Sequence, residues 1–91
     1  MIKLTGFLIC KNEEEAALIR KYISKHKELT RMEIGCVSFD VMETSTPLIW
    51  KVEEVFTDQS AFSAHQARTK ASVWGRETCA IKREYEISTI L

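Results

Sequence analysis

Ile2 to Cys10 is a nearly continuous run of apolar and β-branched residues, which predicts a central strand. Asn12 follows with Glu15 three residues later, the pattern of a helix N-cap and its capping box. Glu13, Glu14 and Glu15 suit the positive end of that helix, and Lys25 and Lys27 suit its far end. Ala16, Ile19, Ile23 and His26 then recur at spacings of three and four, with Tyr22 beside them. A strand is therefore followed by an amphipathic helix from about Glu13 to Leu29. Gly35 resets the chain. From Cys36 to Glu43, Val37, Phe39 and Val41 alternate with Ser38 and Asp40, a half-buried strand. The turn-like Glu43-Thr-Ser-Thr-Pro47 leads into a hairpin arm from Leu48 to Thr57, with Trp50, Val52 and Phe56 on one face. Asp58 is a good N-cap for a second helix carrying Ala61, Phe62 and His65, expected to run to about Thr69. A helical turn around Ser72 to Trp74 is expected to stop at Gly75. Ile81, Tyr85 and Ile87 finally alternate with Lys82, Glu84, Glu86 and Ser88 as a last strand.

The order β-α-β-β-α-β favours an α+β, ferredoxin-like layer of two helices on one face of a four-stranded antiparallel sheet. One proline and three glycines in 91 residues leave no linker and no repeat, so residues 1–91 read as a single domain. Helices cover only one face of such a sheet. Phe7 and Ile9 lie out of phase with Leu4 and Leu8, and Ile49 and Val55 out of phase with Trp50 and Val52, so both faces carry apolar residues. A chain this small has little core to spare, and a two-fold homodimer packed through the second sheet face is expected.

Lys+Arg and Asp+Glu both number 13, and this zero balance argues against general nucleic-acid binding. No apolar run approaches the roughly 18 residues of a membrane span, and the first ten residues lack a basic region followed by a cleavage site. A cytoplasmic domain is expected. Cys10, Cys36 and Cys79 are odd in number and far apart, unlike a disulfide framework or a zinc site, and read as reduced thiols. No phosphate loop, dinucleotide fingerprint, zincin or nucleophile-elbow motif is present.

Two histidines fall in phase with apolar helical stripes. His26 follows Ile19 and Ile23, and His65 follows Ala61 and Phe62, so both should point inward. An imidazole there is either a core residue satisfied by one partner or a base for a bound hydroxyl. As a metal pair the two are incomplete. Glu54 shares its phase with Trp50, Val52 and Phe56, and a carboxylate on an apolar face must find a partner or hold its proton. Two partners are open to it: Arg83, in phase with Ile81 and Tyr85, or His65. Phe39, Trp50, Phe56, Phe62, Trp74 and Tyr85 read first as core, and also as walls for a flat aromatic ligand between sheet and helices.

Two runs resemble the antibiotic biosynthesis monooxygenase family. Leu29-Thr-Arg-Met-Glu33-Ile-Gly35-Cys36, then Phe39, is similar to its helix-to-strand junction. Glu54-Val-Phe56-Thr-Asp58-Gln-Ser-Ala61-Phe-Ser-Ala64-His65 is similar to its second signature, a carboxylate, an aromatic and then a helix ending in His. The resemblance implies a dimeric α+β barrel. It also implies oxidation of a quinol or phenolic substrate by molecular oxygen with no metal or flavin cofactor. His65 matches the helix histidine and Glu54 the strand carboxylate, and Phe56 stands where a Trp is common. Haem-degrading relatives resemble an Asn, Trp and His set, and Ile2 to Cys10 contains no Asn. The expectation is a quinol-type monooxygenase with His65 as base or phenolate partner and Glu54 as its orienter. Phe39, Trp50, Phe62, Trp74 and His26 would contact a small aromatic substrate. The alternative is a dimeric module that binds an aromatic metabolite without turnover.

Overall fold

The computed structural model describes residues 1–90. Strand β1 (Ile2–Ile9) leads to helix α1 (Glu13–Arg31), then to strands β2 (Cys36–Glu43) and β3 (Ile49–Phe56). Helices α2 (Gln59–Ala71) and α3 (Val73–Glu77) precede strand β4 (Lys82–Thr89). The four strands form one antiparallel sheet in the order β2-β3-β1-β4. This is the ferredoxin-like α+β fold expected from the sequence.

Local chemistry explains the boundaries. The Asn12 side chain accepts from the Glu15 N–H at 3.0 Å, and Glu15 Oε1 accepts from the Lys11 N–H at 2.8 Å. The return bond of the box thus reaches one residue further back than a capping box usually does. Asp58 accepts from the Ala61 N–H at 2.8 Å. Such caps stabilise a helix by about 1 kcal/mol each. Ser72 joins the last two helices: its hydroxyl donates to the Thr69 carbonyl at 2.7 Å and accepts from the Gly75 N–H at 3.1 Å. Gly75 therefore lies inside α3 and does not end it. A Cβ there would collide with the Thr69 carbonyl, so the glycine serves the close approach of α3 to the end of α2.

Leu4, Leu8, Ile19, Phe56 and Val52 bury at the sheet–helix layer, each contributing on the order of 2 kcal/mol. Two alternations fail locally. Val37 is 54% exposed because the β2–β3 register shifts between Cys36 and Ser38, which takes it out of phase with Phe39 and Val41. Tyr85 and Ile87 share the phase of Ile81 yet are exposed, because β4 is an edge strand beyond the cover of the helices. The second sheet face is mixed. Phe7 is exposed and Ile9, Ile49 and Val55 are half-buried, but Lys51 and Glu53 lie between them and pair at 3.2 Å. No helix among the described residues is long and apolar enough to cross a membrane.

Candidate active site

The space between the helices and the uncovered part of the sheet holds a cavity of about 760 Å³. His26 from α1, Phe39 from β2, Glu54 from β3, His65 from α2 and Trp74 from α3 all line it, and Tyr85 from β4 closes one side. Six elements thus converge on one space. Trp50 and Phe62, expected as walls, do not line this cavity. Trp50 pairs with Leu8 at the far end of the sheet, and Phe62 packs edge-on against Phe56 with centroids 5.8 Å apart. Both are core residues.

His65 is 1% exposed and is held from both sides. Its Nδ1 lies 3.2 Å from each oxygen of Glu33. Glu33 in turn accepts from Arg68 Nε at 2.5 Å, and Arg68 Nη2 donates to Thr30 Oγ1 at 2.9 Å. On the other side, His65 Nε2 is 3.4 Å from Thr69 Oγ1 and 3.6 Å from Glu54 Oε1. Burial pushes the His65 pKa down, against the opposing pull of Glu33, so the imidazole is neutral near pH 7. With Nδ1–H donated to Glu33, Nε2 carries the ring's lone pair, which the Thr69 hydroxyl reaches only through a long contact. The ring stacks on Phe56 at 4.8 Å and meets Phe39 edge-on at 5.8 Å.

Glu33 has no place in the periodic pattern. It follows α1 and precedes the positive-φ Gly35, a turn position that reads as solvated. The available signals are its nearness to Gly35 and its place in the first family-like run, neither of which points to His65. A Cβ at Gly35, with φ of 86°, would also crowd Ala61 Cβ and Thr57 Oγ1, so this glycine lets the turn press against α2, where His65 and Arg68 reside.

Glu54 is 5% exposed, and its Oε1 has no hydrogen-bond partner among the described residues. Burial, with a smaller contribution from Glu33, raises its pKa to about 7. The Arg83 pairing considered from the sequence does not form. Arg83 instead donates to the Thr78 carbonyl at 2.8 Å, the Ile81 carbonyl at 3.0 Å and Thr78 Oγ1 at 2.9 Å. The register explains this: Arg83 lies opposite Leu8, whereas Glu54 lies opposite Leu4, four residues along the same strand.

His26 is also buried, stacked on Trp74 at 4.8 Å with planes 8° apart, and its Nδ1 has no partner among the described residues. Burial foremost, then the charge of Arg68, lowers its pKa to about 3. The cavity therefore presents a neutral base, a protonatable acid and a second neutral imidazole among aromatic rings. Cys36 is no thiolate here, since burial and Glu33 raise its pKa. Among the described residues no three His, Cys, Asp or Glu side chains are placed to hold a metal ion.

Comparison with known proteins adds the family. Among curated proteins no sequence matches. In solved structures the fold recurs at low identity. A Nitrosomonas europaea protein provisionally described as an antibiotic biosynthesis monooxygenase is 17% identical with a TM-score of 0.77, the match covering 100% of this chain and 99% of that one. The Mycobacterium tuberculosis protein Rv0793 is 14% identical with a TM-score of 0.77, over 99% and 94% of the two chains. A conserved protein of Methanosarcina mazei Go1 is 19% identical with a TM-score of 0.75, over 96% and 89%. Such likeness speaks for the fold alone. The sequence pattern of antibiotic biosynthesis monooxygenases, however, matches residues 1–76, from the first strand through α2 and into α3. The chain belongs to the antibiotic biosynthesis monooxygenase family.

Proposed function

We propose that the protein is a cofactor-independent monooxygenase that oxidises a quinol or phenolic aromatic with molecular oxygen. The observation that carries this reading is the Glu33–His65 pair: a carboxylate at Nδ1 favours one tautomer of a buried imidazole, and Nε2, with only a long contact to Thr69 Oγ1, is the acceptor on the side of an aromatic-walled cavity. Nε2 and Glu54 Oε1 lie 3.6 Å apart, too far for a direct hydrogen bond, and a substrate hydroxyl approaching from the cavity side would be within hydrogen-bond reach of both.

The chemistry needs no further reductant, because a quinol supplies the electrons itself. His65 Nε2 takes the phenolic proton, and the electron-rich phenolate gives one electron to oxygen. Recombination forms a carbon–oxygen bond as a substrate peroxide. Loss of water from that peroxide breaks the oxygen–oxygen bond and leaves a new carbonyl. Overall, quinol plus O2 gives hydroxyquinone plus water. Glu54, with a pKa of about 7, holds a proton for the departing oxygen. The imidazolium formed at His65 is stabilised by Glu33. Phe39, Phe56 and Trp74 pack against the two imidazoles and lower the local polarity, which strengthens each of these interactions.

Oxygen consumption with 1,4-dihydroxynaphthalene tests the proposal. Under labelled oxygen, the expected product is 2-hydroxy-1,4-naphthoquinone carrying one labelled atom, formed faster than the uncatalysed background and at background rate in His65→Ala. Equal rates in the two proteins would end the reading. Binding without oxygen uptake would make the protein a ligand-binding module.

The expected homodimer is part of this proposal. The apolar residues Phe7, Ile9, Ile49 and Val55 on the sheet face away from the helices support it, and the intervening Lys51 and Glu53 would meet their two-fold counterparts.

A further inference from the structure

The cavity has a charge imbalance that the acid–base groups do not explain. Lys70, Arg76 and Arg83 all line it, and Glu54 is the only Asp or Glu that does. Glu54 lies deep, and burial keeps it mostly protonated below pH 7. None of the three cations makes a salt bridge among the described residues, in a chain whose formal charge is zero. Arg68, by contrast, is neutralised by Glu33. Three uncompensated cations around one opening repel one another, an arrangement that favours an incoming anion.

Arg83 is the fixed member of the group. The residue is half-buried, and among the described residues its guanidinium donates to neutral oxygens alone: two carbonyls and the Thr78 hydroxyl. Those bonds hold its direction without cancelling its charge, and a guanidinium has five N–H donors to offer. Lys70 and Arg76 are exposed at the end of α2 and in α3. Arg83 stands opposite Leu8, and Glu54 opposite Leu4, with β1 between their strands. Two strand spacings and four residues of rise separate their Cα atoms by roughly 16 Å. Both side chains line the cavity that lies between these positions.

From this placement, and resting on the reading of the cavity as a substrate chamber, we propose that its ligand is an extended aromatic with a carboxylate or similar anionic group at one end, docked on Arg83 with Lys70 and Arg76 at the rim, and a phenolic hydroxyl at the other end, beside His65 and Glu54. Arg83 is then a specificity residue that sets which way round the aromatic enters. Charge-assisted pairing with a carboxylate is directional where the guanidinium is already held.

A matched pair of probes tests this: 6-hydroxy-2-naphthoate and 2-naphthol, which differ by one carboxylate. Affinities are measured by calorimetry on the intact protein, at low and at moderate salt. The expected result is tighter binding of the naphthoate by about tenfold, the size of one charge-assisted contact. That preference should shrink as salt rises. Arg83→Gln should abolish it. Because Arg83 also holds the Thr78–Ile81 turn, the exposed double variant Lys70→Gln/Arg76→Gln gives a second arm, expected to reduce the preference and its salt dependence. Equal affinity for the two probes, binding of neither, or a preference unchanged in both variants would overturn the proposal. Oxygen consumption is a separate readout: a carboxylate preference without turnover would retain the anion site and reject the oxygenase, and turnover of neutral quinols without such a preference would do the reverse.

Discussion

The carboxylate of Glu33 lies 3.2 Å from Nδ1 of His65, a residue thirty-two positions later in the chain. That contact ties the turn after α1 to the middle of α2 and leaves Nε2 as the acceptor on the cavity side. It also makes Glu33, with Arg68 behind it, the orienting group of the histidine, the role the sequence suggests for Glu54.

Removing the orienting carboxylate should lower activity without emptying the cavity. Glu33→Gln is expected to reduce quinol-dependent oxygen uptake by about tenfold to a hundredfold, the range for loss of a group that supports a catalytic base. Nitrogen NMR of the His65 ring should show the single Nδ1–H tautomer of the wild type giving way to a mixture. Unchanged uptake together with an unchanged tautomer would remove Glu33 from the mechanism.

Glu54 makes stability depend on pH in a defined direction. Its folded pKa of about 7 lies above the ordinary 4.5, so between these values the folded state binds more protons than the unfolded one. Stability therefore falls as pH rises from about 4.5 to about 7 and levels off above, by up to about 3 kcal/mol. Glu54→Gln should flatten that slope and raise the melting midpoint most at pH 8. A variant whose midpoint tracks the wild type across this range would show that Glu54 ionises freely.

His26 acts in the opposite sense. Its folded pKa is lowered from 6.5 to about 3, so the unfolded chain takes up a proton first as pH falls. Stability should fall by on the order of 1 kcal/mol per pH unit between about 6.5 and about 3. His26→Phe keeps the stack on Trp74 and has nothing to protonate. Acid titrations of denaturant midpoints should show a shallower loss in the variant, and parallel curves would contradict the buried neutral imidazole.

Gly35→Ala should destabilise the fold by about 2 kcal/mol, combining a positive φ with a crowded Cβ. Because Gly35 sets the turn that carries Glu33, oxygen uptake should fall as well, even at temperatures where the variant is folded by circular dichroism. Stability equal to the wild type would show that the turn relaxes freely.

Phe7→Asp tests the sheet-face dimer. Light scattering should give a dimer mass for the wild type at micromolar concentration and a monomer mass for the variant. A monomeric wild type would reject the dimer outright.

Much of this protein is legible in short stretches of its sequence. The helix starts at Asn12 and Asp58, the stripe Ala16-Ile19-Ile23-His26 and the burial of Glu54 all follow from interactions within four residues or from strand alternation. Those rules act locally, so one sequence contains them. They also gave the element order, and the order restricts the sheet to few arrangements. The motif resemblance added the family and pointed to His65.

Partner choice was settled elsewhere. Glu33 looks like a solvated turn residue until Gly35 presses that turn against α2, and Arg83 looks like a mate for Glu54 until the register sets it beside Leu8. Trp50 and Phe62 are as apolar as Phe39 and Trp74, yet only the latter pair reach the cavity. Val37 left the core through a shift of one residue in the β2–β3 register. In each case the deciding quantity is a distance between groups far apart in the chain, set by how helices and strands pack. Periodicity determines which side of an element a residue occupies, and only packing determines what it meets there.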